Sequence, residues 1–457
     1  MKKNIFFFLV LTALLHSVKG QNAVTQAPYH TDIVKTIVKE FDYPATISYV
    51  ETKTEHYFAY TDQSMTVTNC EIDADIFVRD FVVTDKKVYF CGFRNGQKAS
   101  GIWGFFDILG LQNANLSYDV YESFACNKDF VDTLHRLTVY NDNADIRHIV
   151  TVGTTSGGNP SNGCIIDITP NTSGGTAWTY NIGVTPTYSG ERINRICVTD
   201  NLVVTSGPVA MYSNLDVYRV YNKNNLFMPG GPQDEIWYFP LSSSHQYDHN
   251  PENYEITHIN NDIVAMAIQI QDISYSYPLP AHYGILVMAY DMSALSNGSI
   301  STLYSHYAET STYKLNVESL KYTRTNNELL LLLNGNTPIP FNGTHSIVAE
   351  IPLLTTTATT SILTNQNLTS LDNYNSQQSF VCHGFDNTQP NEATYFTQPI
   401  NTSPVCATTD NPLISAPDFI TKWDPMPLTL CQEKFDCTKL QQLNVLIIPN
   451  NIICSDF

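Results

Sequence analysis

Apolar residues in this chain recur at every second position, or in short runs rich in Val, Ile, Leu, Tyr and Phe, and almost never at the 3.6-residue period of a helix. The alternating stretches group into a degenerate repeat: a short alternating strand, an Asp/Asn turn, a strongly apolar strand, a polar loop, a third strand often opened by glycine, and a more polar fourth strand. The first clear unit reads Phe77–Asp85, Lys87–Phe93, Gly101–Ile108 and Leu116–Tyr121. The second takes His135–Tyr140, Ile146–Val152, Gly163–Ile168 and Trp178–Ile182, and the third Ile193–Val198, Leu202–Thr205, Leu215–Tyr221 and Glu235–Phe239. A fourth begins at Tyr254–Ile259 and includes Ile263–Ile268 and Gly284–Tyr290. Glu328–Leu333 with Ser346–Ile351, and Ser379–His383 with Ala393–Phe396, mark a fifth and a sixth.

Turns between first and second strands fall near Asp85, Asn143, Asp200, Asn261, Asn326 and Asn375, about 50 to 65 residues apart. Four strands of about six residues with their loops fill that period, which fits one blade of a β-propeller and exceeds a helical repeat. The apolar second strands read as buried on both faces, as expected between neighbouring blades. The fold class is therefore all-β, a single propeller of about seven four-stranded blades. The seventh is expected from the two ends of the chain: His56–Tyr60 and Met65–Cys70 as its last two strands, Leu443–Ile448 and Ile452–Cys454 as its first two. Residues 407–440, with four prolines and two cysteines, then read as a connection across one face.

Blade rhythm and end closure together resemble the β-propeller superfamily, and more loosely the uncharacterised exported propellers of Bacteroidota-type bacteria. No WD or kelch signature accompanies the rhythm, so the resemblance implies an architecture and transfers no functional residue.

The N-terminus changes the picture next. Lys2 and Lys3 precede an apolar run from Ile5 to Leu15 and the Val18-Lys19-Gly20 segment, the pattern of a cleavable export signal over residues 1–20. The run is too short for the roughly 20 residues of a membrane span, so a secreted or periplasmic protein is expected. Loss of that segment removes three lysines and no acid, carrying the formal charge from -19 to -22. Nucleic acid is an improbable partner for so acidic a chain. An oxidising compartment would permit disulfides among the ten cysteines, as staples or buried thiols, and no C-x-x-C redox or zinc pair occurs. Six Asn-x-Ser/Thr triplets, at Asn115, Asn171, Asn297, Asn342, Asn367 and Asn401, read as consequences of composition.

Candidate chemistry is sparse. There is no G-x-S-x-G elbow, H-E-x-x-H pair, phosphate loop or EF-hand pattern, and no cofactor is expected. The glycine-rich Gly153–Gly163 run lacks the Lys-Ser/Thr ending of a phosphate cradle and reads as a hairpin loop. His245, Asp248 and His249 place two imidazoles and a carboxylate within five residues, suited to a divalent metal if the loop folds back, although the flanking serines and Asn250-Pro251 favour a solvated connection. Tyr275 and Tyr277 sit in a loop between apolar strands, where they have little packing reason to exist, and are the ligand-binding candidates. Asp80, Asp107, Asp167 and Glu350 lie on strands and read as solvent-facing. The functional expectation is an exported binding or interaction module for a glycan, peptide or envelope partner. The alternative is an extracellular polysaccharide hydrolase or lyase, which would need two converging carboxylates.

Overall fold

The computed structural model describes residues 23–455 apart from 43, 63–65, 97–99, 124–130, 156–161, 170–178, 185–191, 209–215, 225, 227–234, 240–246, 273–281, 294–300, 312–314, 338–342, 354–356, 375, 401–407, 413, 416–420, 424–428, 435–437, 442–444 and 449–450; for Ala23–Pro28 and the strands beyond Thr408 it describes the backbone pairing. The leader expected at 1–20 lies outside these residues.

Seven antiparallel sheets form the fold, and the innermost strand of each packs against those of its neighbours to close a ring. Blade 1 is built from Ile33–Glu40, Thr46–Thr52, His56–Thr61 and Val67–Ile72. Blades 2 to 5 start on the innermost strands Ile76–Thr84, Val131–Asn141, Arg195–Val198 and Tyr247–His258. Blade 6 starts on Leu315–Thr323 and blade 7 on Gln366–Tyr374. The first turns of the repeat fall where the Asp and Asn residues predict them: Asp85 and Asn261 adopt φ of 49° and 46°, the left-handed region that these short polar side chains tolerate.

As expected, strands from the N- and C-terminal ends share the closing blade, but they are not the strands the alternation pattern suggests. His56–Thr61 and Val67–Ile72 are preceded by two strands of their own, so the four inner strands of blade 1 all come from the N-terminal part of the chain. Blade 7 is the composite one: Ala23–Pro28 pairs along Glu392–Pro399 and completes it. The strand Ile33–Glu40 escapes the alternation pattern because Lys35, Lys39 and Glu40 interrupt it, and two of these line the central channel described below.

Nor does the 407–440 stretch cross a face. From Thr408 the chain runs back around the ring, adding a fifth, outermost strand to blades 6, 5, 4, 3, 2, 1 and 7 in turn. This belt pairs the outer edge of every blade, the edges that would otherwise present unpaired backbone groups to another chain.

Burial follows the ring. One apolar cluster fills each interface between consecutive blades. Between blades 1 and 2, Phe58 meets Phe106 at 4.8 Å and Phe81 at 5.7 Å in edge-on contacts, the geometry aromatic quadrupoles favour. The short helix Ile108–Gln112 lays Ile108 and Leu111 into the same cluster. Cys70, Cys91, Cys164, Cys197 and Cys382 are buried free thiols in these interfaces; of the staples and buried thiols expected, these five are the latter.

Candidate central channel site

The innermost strands are where this repeat departs from regular geometry. In blades 1, 2, 3, 6 and 7 the pairing of first and second strands slips by one residue, leaving Val34, Arg79, Asp132 and His135, Glu318 and Thr369 as extra residues. A β-bulge re-aims the side chain it carries; Arg79, His135, Glu318 and Thr369 line one cavity of ≈ 880 Å³ along the ring axis, whereas Val34 and Asp132 are not part of its wall. Glycines on the second strand make room for the bend. A Cβ at Gly92 would stand 1.9 Å from the Phe77 carbonyl oxygen, and at Gly384 2.1 Å from that of Asn367; each glycine faces the residue just before the bulge.

Blade-to-blade clasps hold the strands around this cavity. The Asp80 carboxylate accepts from the Leu137 N–H of blade 3 at 3.1 Å and from the Phe81 N–H at 2.9 Å, with Lys39 Nζ of blade 1 at 3.5 Å. Asp372 repeats the device between blades 7 and 1, accepting from the Glu40 N–H at 3.1 Å and pairing with Lys321 at 2.9 Å. Asn253 carries it as an amide, accepting from the Val317 N–H at 2.5 Å. Glu255 joins blades 3, 4 and 5 by taking both Arg136 and Arg195, the latter at 3.0 Å. Despite burial, Asp80 and Asp372 are held below the usual carboxylate range by the surrounding lysines, Arg136 and the backbone N–H donors.

Charge is unequally distributed around the ring. Blades 1 to 4 bring Lys35, Lys39, Arg79, Arg136 and Arg195 to the wall, whereas blades 5 to 7 contribute Asn253, Asn316, Glu318, Ser319, Lys321, Thr369 and Ser370. Six cations thus face three lining carboxylates, Asp80, Glu255 and Glu318, in a protein whose net charge is -19. The local field leaves its mark on titration. Burial pushes Lys35 down to about 7, with Arg79 and Arg136 adding to the shift. His135 falls to about 3 by burial and by the repulsion of Arg195, Arg79, Arg136 and Arg192. Glu318 rises to about 7 through burial and the nearby charge of Glu255. None of the described lining residues is Phe, Tyr or Trp.

Of the residues singled out from sequence, His245, Tyr275 and Tyr277 lie outside the described residues. Asp248 and His249 lie on the innermost strand of blade 5, paired with Gln271 and Ile270, where a loop was expected; a bulge between His249 and Tyr254 absorbs the Asn-Pro interruption. Among the described residues no His, Cys, Asp and Glu group is arranged to hold a metal ion. The carboxylates also part company with the solvent-facing expectation. Asp107 is exposed, but Asp80, Asp167 and Glu350 are buried: Asp167 receives His148 Nδ1 at 2.8 Å and Glu350 the Gln398 amide at 3.2 Å.

Sequence reading missed the channel residues because a charged residue on an alternating strand looks like a solvated one. A usable signal was present in the second strands, where Gly92, Gly153 and Gly384 each stand across from a bulge. No family model and no curated protein matches this chain, so its likeness to other propellers rests on architecture. No helix among the described residues is long and apolar enough to cross a membrane.

Proposed function

We propose that this chain is an exported, non-enzymatic binding module that takes its ligand, a group of a glycan, peptide or envelope partner, into the central channel. The observation that carries the reading is the set of bulges that aim Arg79, His135, Glu318 and Thr369 into one cavity. A cavity of ≈ 880 Å³ falls within the roughly 300 to 1,000 Å³ of ligand pockets. Burying a charge such as that of Lys35 costs stability, and such local conflict is characteristic of functional sites. The propeller supplies the rigid frame, and its fold alone favours no particular ligand.

One observation favours the polysaccharide-cleaving alternative: Glu318, raised to about 7 beside the charged Glu255, has the protonation a general acid needs. Its would-be partner is committed, because Glu255 already engages two arginines, which weighs toward binding. A polysaccharide and envelope-extract pulldown, with reducing-end release followed in the same samples, tests the proposal. Retention by the wild type and its loss in the channel-plugging Thr133→Trp variant is the expected result. New reducing ends that disappear in Glu318→Gln would replace the binding module with the enzyme.

A further inference from the structure

Resting on the channel reading, we infer that the wall built by blades 1 to 4 is an oxyanion-binding site, taking one carboxylate, sulfate or phosphate group of a small ligand or of a single residue of a larger one. Arg79 is its centre. The guanidinium lies over the Phe93 ring, 4.9 Å from the centroid, and has no carboxylate partner among the described residues, so its planar fork is preorganised for a bidentate acceptor. Lys35 Nζ donates to the Arg79 backbone carbonyl at 3.2 Å, which brings a second basic group to the same wall with donors to spare. Arg136 and Arg195 share the single charge of Glu255, leaving that pair net positive.

His135 lies in the same wall, where burial and the four neighbouring arginines hold its imidazole neutral. One ring nitrogen, Nε2, is engaged with Thr154 Oγ1 at 3.1 Å, and the neutral ring adds a polar group to the wall without adding charge. Facing this wall, Asn316 and Ser319 offer neutral hydrogen-bonding groups suited to hydroxyls. The acidic remainder of the molecule repels long polyanions, which restricts the occupant to a ligand with one local charge.

Calorimetric titration with galacturonate, galactose 6-sulfate and galactose 6-phosphate, against galactose, tests the assignment. At least one charged probe is expected to bind while galactose does not, with affinity falling as salt rises. Arg79→Gln should weaken that probe about tenfold or more, the effect of losing a charged hydrogen-bonding partner, and Arg79→Lys should restore part of it; an unchanged melting temperature in both variants shows that the ring is intact. The inference is overturned if no charged probe binds more tightly than galactose, or if Arg79→Gln leaves binding unaltered. Binding of galactose that Thr133→Trp abolishes would overturn the oxyanion site yet keep the channel, whereas charged-probe binding unaffected by Thr133→Trp would overturn both.

Discussion

Asp80 and Asp107 are 27 positions apart on the first and third strands of one blade and look alike in sequence, yet the tertiary structure makes opposite predictions for their removal. In Asp80→Ala the Leu137 N–H loses its acceptor and Lys39 loses its 3.5 Å partner, at side-chain exposures of only 20% for Lys39 and 10% for Asp80. An orphaned buried donor costs about 1–3 kcal/mol and a broken buried ion pair about 3–5 kcal/mol; the two overlap here, so the expected loss is about 4 kcal/mol. Asp80→Asn keeps one acceptor oxygen and should lose less, about 1–2 kcal/mol. Asp107 pairs with Lys87 at 3.9 Å while 72% exposed, and Asp107→Ala should change stability by less than about 0.5 kcal/mol. Urea unfolding followed by tryptophan fluorescence measures all three. Because the folded-state pKa of Asp80 is depressed, its contribution is present above the ordinary carboxylate range and disappears as pH falls through the folded value, so the wild type and Asp80→Ala should converge in acid. Equal midpoints for Asp80→Ala and Asp107→Ala at neutral pH would refute the clasp.

Three further outcomes follow from the same geometry. Lys35→Met should stabilise the ring, and more so at neutral pH than in base: the unfolded lysine keeps its proton up to its ordinary 10.5, the folded one sheds it near 7, so wild-type stability rises with pH across that window; a gain independent of pH from 7 to 10.5 would contradict the buried cation. Gly92→Ala places a Cβ against the backbone at Phe77 and should cost about 1–3 kcal/mol, the range for overpacking, so a denaturation midpoint equal to wild type would mean the bulge is absent. Burial raises Cys70 to about 11 and Cys91, Cys164 and Cys197 to about 12; these thiols should resist alkylation in the native protein and react after denaturation, as peptide mass mapping would record.

The sequence by itself determined the period and the local chemistry of the blade. Alternating strands, Asp and Asn at left-handed first turns such as Asp85 and Asn261, and a doubly apolar second strand such as Leu329–Leu333 all follow from short-range sterics and burial, and they were sufficient for an all-β ring of about seven blades. That the two chain ends share the closing blade was legible, but which strands pair there was not. Ala23–Pro28 selects Glu392–Pro399 through backbone pairing between residues more than 360 positions apart, and the belt from Thr408 onward meets each blade through the same sequence-independent hydrogen bonds. The channel escaped for a related reason. Whether a charged residue on an alternating strand faces water, as Asp107 does, or the axis, as Asp80 does, depends on which strand lies innermost and where a bulge shifts the register. Arg79, His135 and Glu318 become one site only when blades 2, 3 and 6 are brought around a common axis, and that arrangement exists in the tertiary structure alone.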